Sequence, residues 1–323
     1  MSQGELKRID LKLLGPNASA LQSSYWATVK QSSGWNPCAF SYQENRHAKP
    51  IHFLVLIKTL VGKQQLAYIP FASGIEPHRI GKLLKPLLGS QVAFVRFDLP
   101  WNAPYQADAN LIQCRYAIQP EATVRLNLTQ GYERVASAYK KRTLRHLKKR
   151  DPLMTIACWD EKDEKLFNQW YALYRQRAQK AHFSPRSADY IKKALQLKGL
   201  DGESLLFLAC KGNSVLGGIV VLFGAKEALY LYGATAVDQD ASISYVLQDY
   251  AIGRAIEKGC SVYDLYGIST DATADQHLKS LKFFKQSFGG EVYSRPPTVD
   301  YRYKKGVYGI YVAVERIWLA LHR

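Results

Sequence analysis

An order of strand, strand, helix, strand occurs twice along the chain, and no other feature restricts the fold as much. Residues 51–58 read IHFLVLIK, an apolar strand. A polar turn, a second strand (QQLAYIPFA), a helical segment (HRIGKLLKPLLG, with Pro86 as its break) and the strand QVAFVRFD, ending at Asp98, follow it. Further on, LLFLACK and LGGIVVLFG flank the turn Gly212-Asn213-Ser214, and the strand EALYLYGA, the helix SYVLQDYAIGRAIEKG and the strand SVYDLYG around Asp264 come next. Tyr68 precedes Asp98 by 30 residues and Tyr230 precedes Asp264 by 34. The recurrence predicts an α/β protein of two related domains, each a mixed sheet flanked by helices, and 323 residues exceed what one core needs. The best-marked helix covers 244–258, where Val246, Leu247, Tyr250, Ala251, Arg254 and Ala255 recur at helical steps before Gly259. A second, over 161–181, carries an apolar stripe of Phe167, Trp170, Tyr171 and Tyr174.

Charge narrows the partners. Forty-four Lys and Arg against 27 Asp and Glu give +17, which points to a polyanion: a phosphate-rich small molecule, nucleic acid or an anionic membrane face, with a generic basic surface as the plain alternative. With 47% hydrophobic and 12% aromatic residues, a disordered chain is excluded. The five cysteines are scattered and never form CxxC, so neither a disulfide framework nor a zinc site is expected. MSQGELKRIDLKLLG lacks the apolar stretch of a signal peptide, and no window approaches the length of a membrane span. A soluble, cytoplasmic protein is expected.

The densest charge lies between the repeats. Lys140, Lys141, Arg142, Arg145, Lys148, Lys149 and Arg150 fall within one short helical stretch, with Tyr139, Thr143, Leu144 and Leu147 on its apolar face and Asp151-Pro152 as its stop. Such a run is either a solvated face or, with no acidic block nearby, a set of phosphate contacts. GxSxG, HExxH, the GxxxxGK[ST] loop and a strand-linked GxGxxG are all missing, and the seven histidines form no spaced cluster, so no metal centre is expected. The segment LKFFKQSFGGE (281–291) sets Lys285 among aromatics and closes with a glycine pair. Its ammonium either stabilises an oxyanion from a partly apolar pocket or snorkels to solvent from a packed core.

Six motifs in order over most of the chain resemble the FemABX peptidyltransferases (Fem/MurM type), which move an amino acid from aminoacyl-tRNA to the stem-peptide amine of a cell-wall precursor. They are Leu21-Gln22-Ser23 with Trp26, Lys30 and Gly34-Trp35; Val95-Arg96-Phe97-Asp98; Phe183-Ser184-Pro185-Arg186 with Tyr190; Tyr230-Leu231-Tyr232-Gly233; Tyr263-Asp264-Leu265-Tyr266-Gly267-Ile268; and Phe284-Lys285 with Phe288-Gly289-Gly290. The basic run is similar to the family's interdomain region. The resemblance implies two acetyltransferase-like (GNAT) domains, 1–135 with 298–323 and 136–297, in the compact form without a helical hairpin. It also implies that Lys285 and Phe284 form the oxyanion site and that Asp98 orients or deprotonates the attacking amine. Lys30, Arg186, Tyr190, Tyr230, Tyr232 and Asp300 would hold the precursor, Tyr190 and Tyr230 lining one cleft, and Lys140, Lys141, Arg142, Arg145, Lys148, Lys149 and Arg150 would contact tRNA.

The implied partners are aminoacyl-tRNA and a nucleotide- or lipid-linked peptidoglycan precursor, with peripheral contact at the inner membrane face; a monomer is expected. No cofactor is needed, because an aminoacyl ester is already activated. The runner-up is an acyl-CoA-dependent GNAT N-acyltransferase. It is disfavoured because the stretch 234–244, where a glycine-rich pyrophosphate loop would lie, has no glycine and two aspartates. A non-catalytic RNA-binding protein is the third reading, and it leaves Phe284-Lys285 unexplained.

Overall fold

The computed structural model describes residues 4–114, 117–181, 183–236, 241–269 and 276–322. In chain order the first elements are β1 (Glu5–Ile9), α1 (Ser24–Gln31), β2 (Asn36–Gln43), β3 (Ile51–Thr59), β4 (Gln65–Pro70), α2 (Pro77–Leu84), β5 (Val92–Asp98) and β6 (Leu111–Gln113). Then come β7 (Ala122–Asn127), α3 (Gly131–Ser137), α4 (Lys141–Lys148), β8 (Thr155–Cys158), α5 (Glu164–Lys180), α6 (Ala188–Gln196), β9 (Glu203–Lys211), β10 (Ser214–Phe223), β11 (Glu227–Thr235), α7 (Ser242–Glu257) and β12 (Val262–Asp264). The chain closes with α8 (Gln276–Gln286), β13 (Glu291–Ser294), β14 (Val299–Arg302) and α9 (Lys305–His322).

Two seven-stranded sheets result, ordered β1-β2-β3-β4-β5-β14-β6 and β8-β9-β10-β11-β12-β7-β13. The orders correspond strand for strand. In each, an antiparallel pair (β3/β4, β10/β11) is followed by a helical crossover, α2 or α7, to a parallel neighbour (β4/β5, β11/β12). A parallel strand requires such a crossover, so the strand, strand, helix, strand order dictates this geometry. The α/β reading with two mixed sheets flanked by helices holds.

The chain divides into 1–121 with 294–323 and 122–293, where the sequence suggested breaks at 135/136 and 297/298. Pairing explains the difference. β7 bonds to β12, with Tyr263 opposite Leu126 and Asp264 opposite Arg125, and so joins the second sheet. β14 returns to the first, with Asp300 opposite Arg96. In each unit the strand beside the crossover strand thus arrives out of chain order.

β5 is buried along its whole length, as a strand covered on both faces must be. Its two charged residues are satisfied in place. Arg96 makes two 2.9 Å bonds to Asp300 and one of 2.7 Å to Glu315, while Asp98 accepts from Tyr68 (2.6 Å) and pairs with Arg295 at 3.1 Å. Among the described residues no helix is long and apolar enough to cross a membrane.

Candidate active site

In the second unit the end of β12 gathers the chemistry. Asp264, fully buried, accepts from the Thr123 hydroxyl of β7 at 2.6 Å and from the Tyr266 N–H at 2.8 Å, with Arg125 Nε 3.3 Å away. Tyr266 (φ 51°) and Gly267 (φ 64°) then take consecutive left-handed conformations. That is costly for a tyrosine, and such strain concentrates at functional sites. Both of their carbonyls accept from the Lys285 ammonium, Gly267 at 2.6 Å. The YDxxGI motif is therefore a cradle: the aspartate ends the strand and caps the turn, and the turn presents two carbonyls to a lysine.

Lys285 is only 4% exposed, so the snorkelling alternative falls. Burial pulls its pKa down from 10.5 to about 7, opposed by the charge of Asp264, while Arg177 adds to the fall. Burial likewise raises the Asp264 carboxyl, countered by the Thr123 hydroxyl, Arg125, the Tyr266 N–H and Lys285. The Lys285 Nζ lies 5.7 Å from the centre of the Tyr230 ring, and Phe284 packs edge-on against Tyr245 at 4.9 Å. Tyr230, Tyr245 and Phe284 form part of the wall of a pocket of about 350 Å3, which Arg142, Arg177 and Gly233 also line.

The turn after Lys285 is held by the chain that opens the basic helix. Thr143, fully buried in α4, donates to the carbonyl of Ser287 at 2.8 Å, the Lys140 N–H reaches the same carbonyl at 2.9 Å, and Tyr139 packs edge-on against Phe288 at 5.4 Å. Gly289 has φ 78°, and a Cβ there would stand 2.3 Å from the Ala138 carbonyl oxygen. Gly289→Ala should therefore lower stability by more than ~1 kcal/mol, because both the backbone conformation and the space are wrong for a side chain. A urea midpoint is the measurement; an unshifted one would mean that the turn yields freely.

All seven cations of the run, Lys140, Lys141, Arg142, Arg145, Lys148, Lys149 and Arg150, are exposed, and none pairs with a described carboxylate. Leu144 departs from expectation. It is 42% exposed and stands among the cations, because Thr143 takes the buried position one residue earlier.

Arg186, Tyr190 and Tyr232 form a separate cluster in the same unit. The Arg186 guanidinium lies 5.8 Å from the Tyr190 ring centre, and its backbone is fixed by the Tyr171 and Tyr174 hydroxyls of α5 at 3.1 and 3.3 Å. Tyr232 packs on Tyr174 at 5.8 Å. Burial raises the Tyr232 hydroxyl, with Tyr190 adding to the shift and Arg186 opposing it. Tyr230 and Tyr232, two residues apart on one strand, would share a face. The register slips, however, so that Val220 faces Tyr232 and Val221 faces Tyr230. This bulge at Leu231 turns Tyr230 toward Lys285 and Tyr232 toward α5. The single cleft expected for Tyr190 and Tyr230 is thus replaced by two groupings on opposite faces of the sheet.

Three expected site residues belong to the first unit. The Lys30 Nζ lies 5.1 Å from the Trp26 ring and 5.8 Å from Trp35, and the buried Trp26 Nε1 finds no acceptor among the described residues. The opening motif explains the placement: Ser23 caps α1 through the Trp26 N–H, while Gln22 ties β3 to the end of β4. Asp98 is 1% exposed and is bound by Tyr68, the Gln119 N–H at 3.0 Å, Thr298 and Arg295. Asp300 is fully buried and taken up by Arg96 and the Tyr308 hydroxyl at 3.0 Å.

Asp98 and Asp264 occupy corresponding strand ends. Each accepts a threonine hydroxyl (Thr298 or Thr123) and a backbone N–H, and near each a buried cation bonds backbone carbonyls: Arg295 to Gln119 and Pro120, Lys285 to Tyr266 and Gly267. The motif is duplicated, with a lysine in one copy where the other has an arginine. Sequence reasoning assigned no role to Asp264, Thr123, Arg125, Arg177 or the two carbonyls. The repeat held the signal, since Asp264 ends its strand as Asp98 does. The two aspartates that argue against an acyl-CoA site, Asp238 and Asp240, lie outside the described residues.

A FemX crystal structure superposes with TM-score 0.73 at 16% identity, covering 95% of this chain and all of that one. A C-terminal (DUF2156) domain from Agrobacterium fabrum, described as part of a lysylphosphatidylglycerol synthetase, gives 0.54 at 13% identity over 91% and 92%. A conserved protein of unknown function from Bacteroides thetaiotaomicron gives 0.54 at 9% identity over 91% of each chain. At these identities the likeness is one of fold. No curated protein matches the sequence. Residues 206–316, which contain the β12 turn and the Phe284-Lys285 segment, match the model of the FemAB family.

Proposed function

We propose that this protein is an aminoacyltransferase that moves an amino acid from the 3′ end of a charged tRNA to the side-chain amine of a peptidoglycan stem peptide, building the interpeptide branch. The observation that carries the reading is the Lys285 ammonium. It is buried, directed by two carbonyls and followed by a turn stapled to an exposed cationic helix. An ammonium has three donors. Two serve the cradle, and the third is available to the ester carbonyl oxygen as it gains negative charge.

In the reaction the neutral acceptor amine attacks the ester carbon. The C–N bond forms, the carbonyl oxygen becomes an oxyanion beside Lys285, and the tetrahedral adduct collapses by breaking the C–O bond to the ribose. The ribose oxygen leaves with the proton that the amine gives up. Desolvation next to cations favours the neutral amine, whose ordinary pKa is about 10.4. No step requires a cofactor. The pocket beside Tyr230 and Phe284 receives the aminoacyl end, and α4 takes the phosphates of the RNA. Arg186, with Tyr190 and Tyr232, binds a phosphate of the precursor, and Lys30, beside Trp26, is a second cation suited to phosphate. Asp98 holds the end of β5 rather than taking a proton, and Asp300 anchors Arg96. The acceptor, nucleotide- or lipid-linked, places the enzyme in the cytoplasm.

The test is a mass-spectrometric transfer assay with mixed charged tRNAs and both precursor forms. Ribonuclease should abolish the product, and ribonuclease-resistant transfer, or transfer from acetyl-CoA alone, would reject the reading. Lys30→Ala and Arg186→Ala should each raise KM for the precursor by about tenfold or more, the worth of a charge-assisted hydrogen bond, while leaving KM for tRNA in place. The opposite pattern would reassign both residues.

A further inference from the structure

α9 turns two unlike faces outward and inward. Tyr308, Tyr311 and Glu315 face the first sheet, where the two rings pack on Phe94 at 5.1 and 4.9 Å and Glu315 bonds Arg96 at 2.7 Å. On the other side Ile310, Val314 and Ile317 are 69%, 53% and 62% exposed. They recur at four- and three-residue steps, so they form one continuous stripe, extended by the exposed Gly306 and Ala313. Lys305 and Arg316, also exposed, stand about three turns apart along one flank of it. The helix's one carboxylate, Glu315, is turned inward, so the outward face combines branched aliphatics with positive charge only.

We infer that this face docks on an anionic bilayer surface, with α9 lying in the plane of the headgroups. The helix does not meet the length and hydropathy of a span, and an apolar stripe edged by cations is the form of an interfacial helix. Anionic headgroups complement Lys305 and Arg316, and each basic residue near such a surface strengthens attachment. A second copy of the chain fits less well, because antiparallel self-pairing sets the two basic flanks side by side. The chain's +17 adds a long-range attraction to the same surface. The inference stands independently of the transfer reaction, and the test below reads attachment alone.

The experiment is co-sedimentation of the full chain with vesicles of phosphatidylcholine alone and of phosphatidylcholine with phosphatidylglycerol, at low and high salt. The expected result is binding to the phosphatidylglycerol vesicles, weakened by salt. I310E/I317E should weaken it by about tenfold or more, since each buried isoleucine contributes about that factor. K305E/R316E should remove the preference for anionic lipid. All four side chains are exposed, so thermal midpoints should match the parent and show that the fold is intact. Equal binding of I310E/I317E and parent, or no binding to anionic vesicles, overturns the inference. So does a parent dimer that I310E/I317E converts to monomer, because the stripe would then join two copies.

Discussion

Lys285→Ala is expected to slow transfer by about 100- to 1000-fold at neutral pH, the usual effect of losing one oxyanion donor. The loss should appear in kcat and in kcat/KM alike, because the interaction exists only once the carbonyl oxygen carries charge. tRNA affinity should survive, since the phosphate contacts lie on α4. The substitution leaves the Tyr266 and Gly267 carbonyls without their partner, so an unfolding curve must accompany the kinetics. A variant that folds, binds tRNA and transfers at the parental rate would remove Lys285 from the chemistry. The variant that binds but does not transfer also separates an enzyme from a passive RNA-binding protein.

Reversing the charge of Lys141, Arg145, Lys148 and Lys149 should weaken tRNA binding by about a hundredfold at moderate salt and flatten its salt dependence. Each lost phosphate contact removes roughly 0.7 to 0.9 from the slope of log K against log salt, so four remove about three. Because all four side chains are exposed, stability should be close to unchanged. The control reverses Lys7, Arg8, Lys82 and Lys85, exposed cations of the first unit, and so shifts the net charge equally. If both sets weaken binding to the same extent, the RNA responds to overall charge and α4 is not its contact.

The twofold architecture could be read from the chain because sheet strands and crossover helices leave different periods, and the same order of periods came twice. The exchange of β7 and β14 was not readable. Both are short, and β14 finds its partner across 204 residues, as the Arg96–Asp300 pair shows. Nothing local encodes that pairing. The bulge at Leu231 was equally hidden, since alternation alone puts Tyr230 and Tyr232 on one side. Phe284-Lys285 stood out in the sequence because a lysine among phenylalanines closed by two glycines is unusual. Its cradle did not, because backbone carbonyls have no letter in a sequence. Asp300 lies in a recognisable strand, but nothing in the sequence shows that the Arg96 guanidinium takes up both of its oxygens. Leu144 failed for a simpler reason, a one-residue shift in which face of α4 meets the turn.

Titration distinguishes the two things that Lys285 could do. With a pKa held by burial at about 7, well under the ordinary 10.5, the unfolded chain binds the extra proton between those values. The stability contributed by this group therefore rises with pH across that window, while the charged fraction that stabilises an oxyanion falls. The ratio of kcat/KM for aminoacyl-tRNA between parent and Lys285→Ala, followed from pH 6 to 9, isolates this group, because titration of the acceptor amine cancels and kcat/KM reports the free enzyme. The ammonium role predicts a level ratio below about pH 7 and a fall of about tenfold per unit above it. A ratio that climbs to pH 7 and then levels would mean that the neutral amine acts as a base, contradicting the oxyanion role.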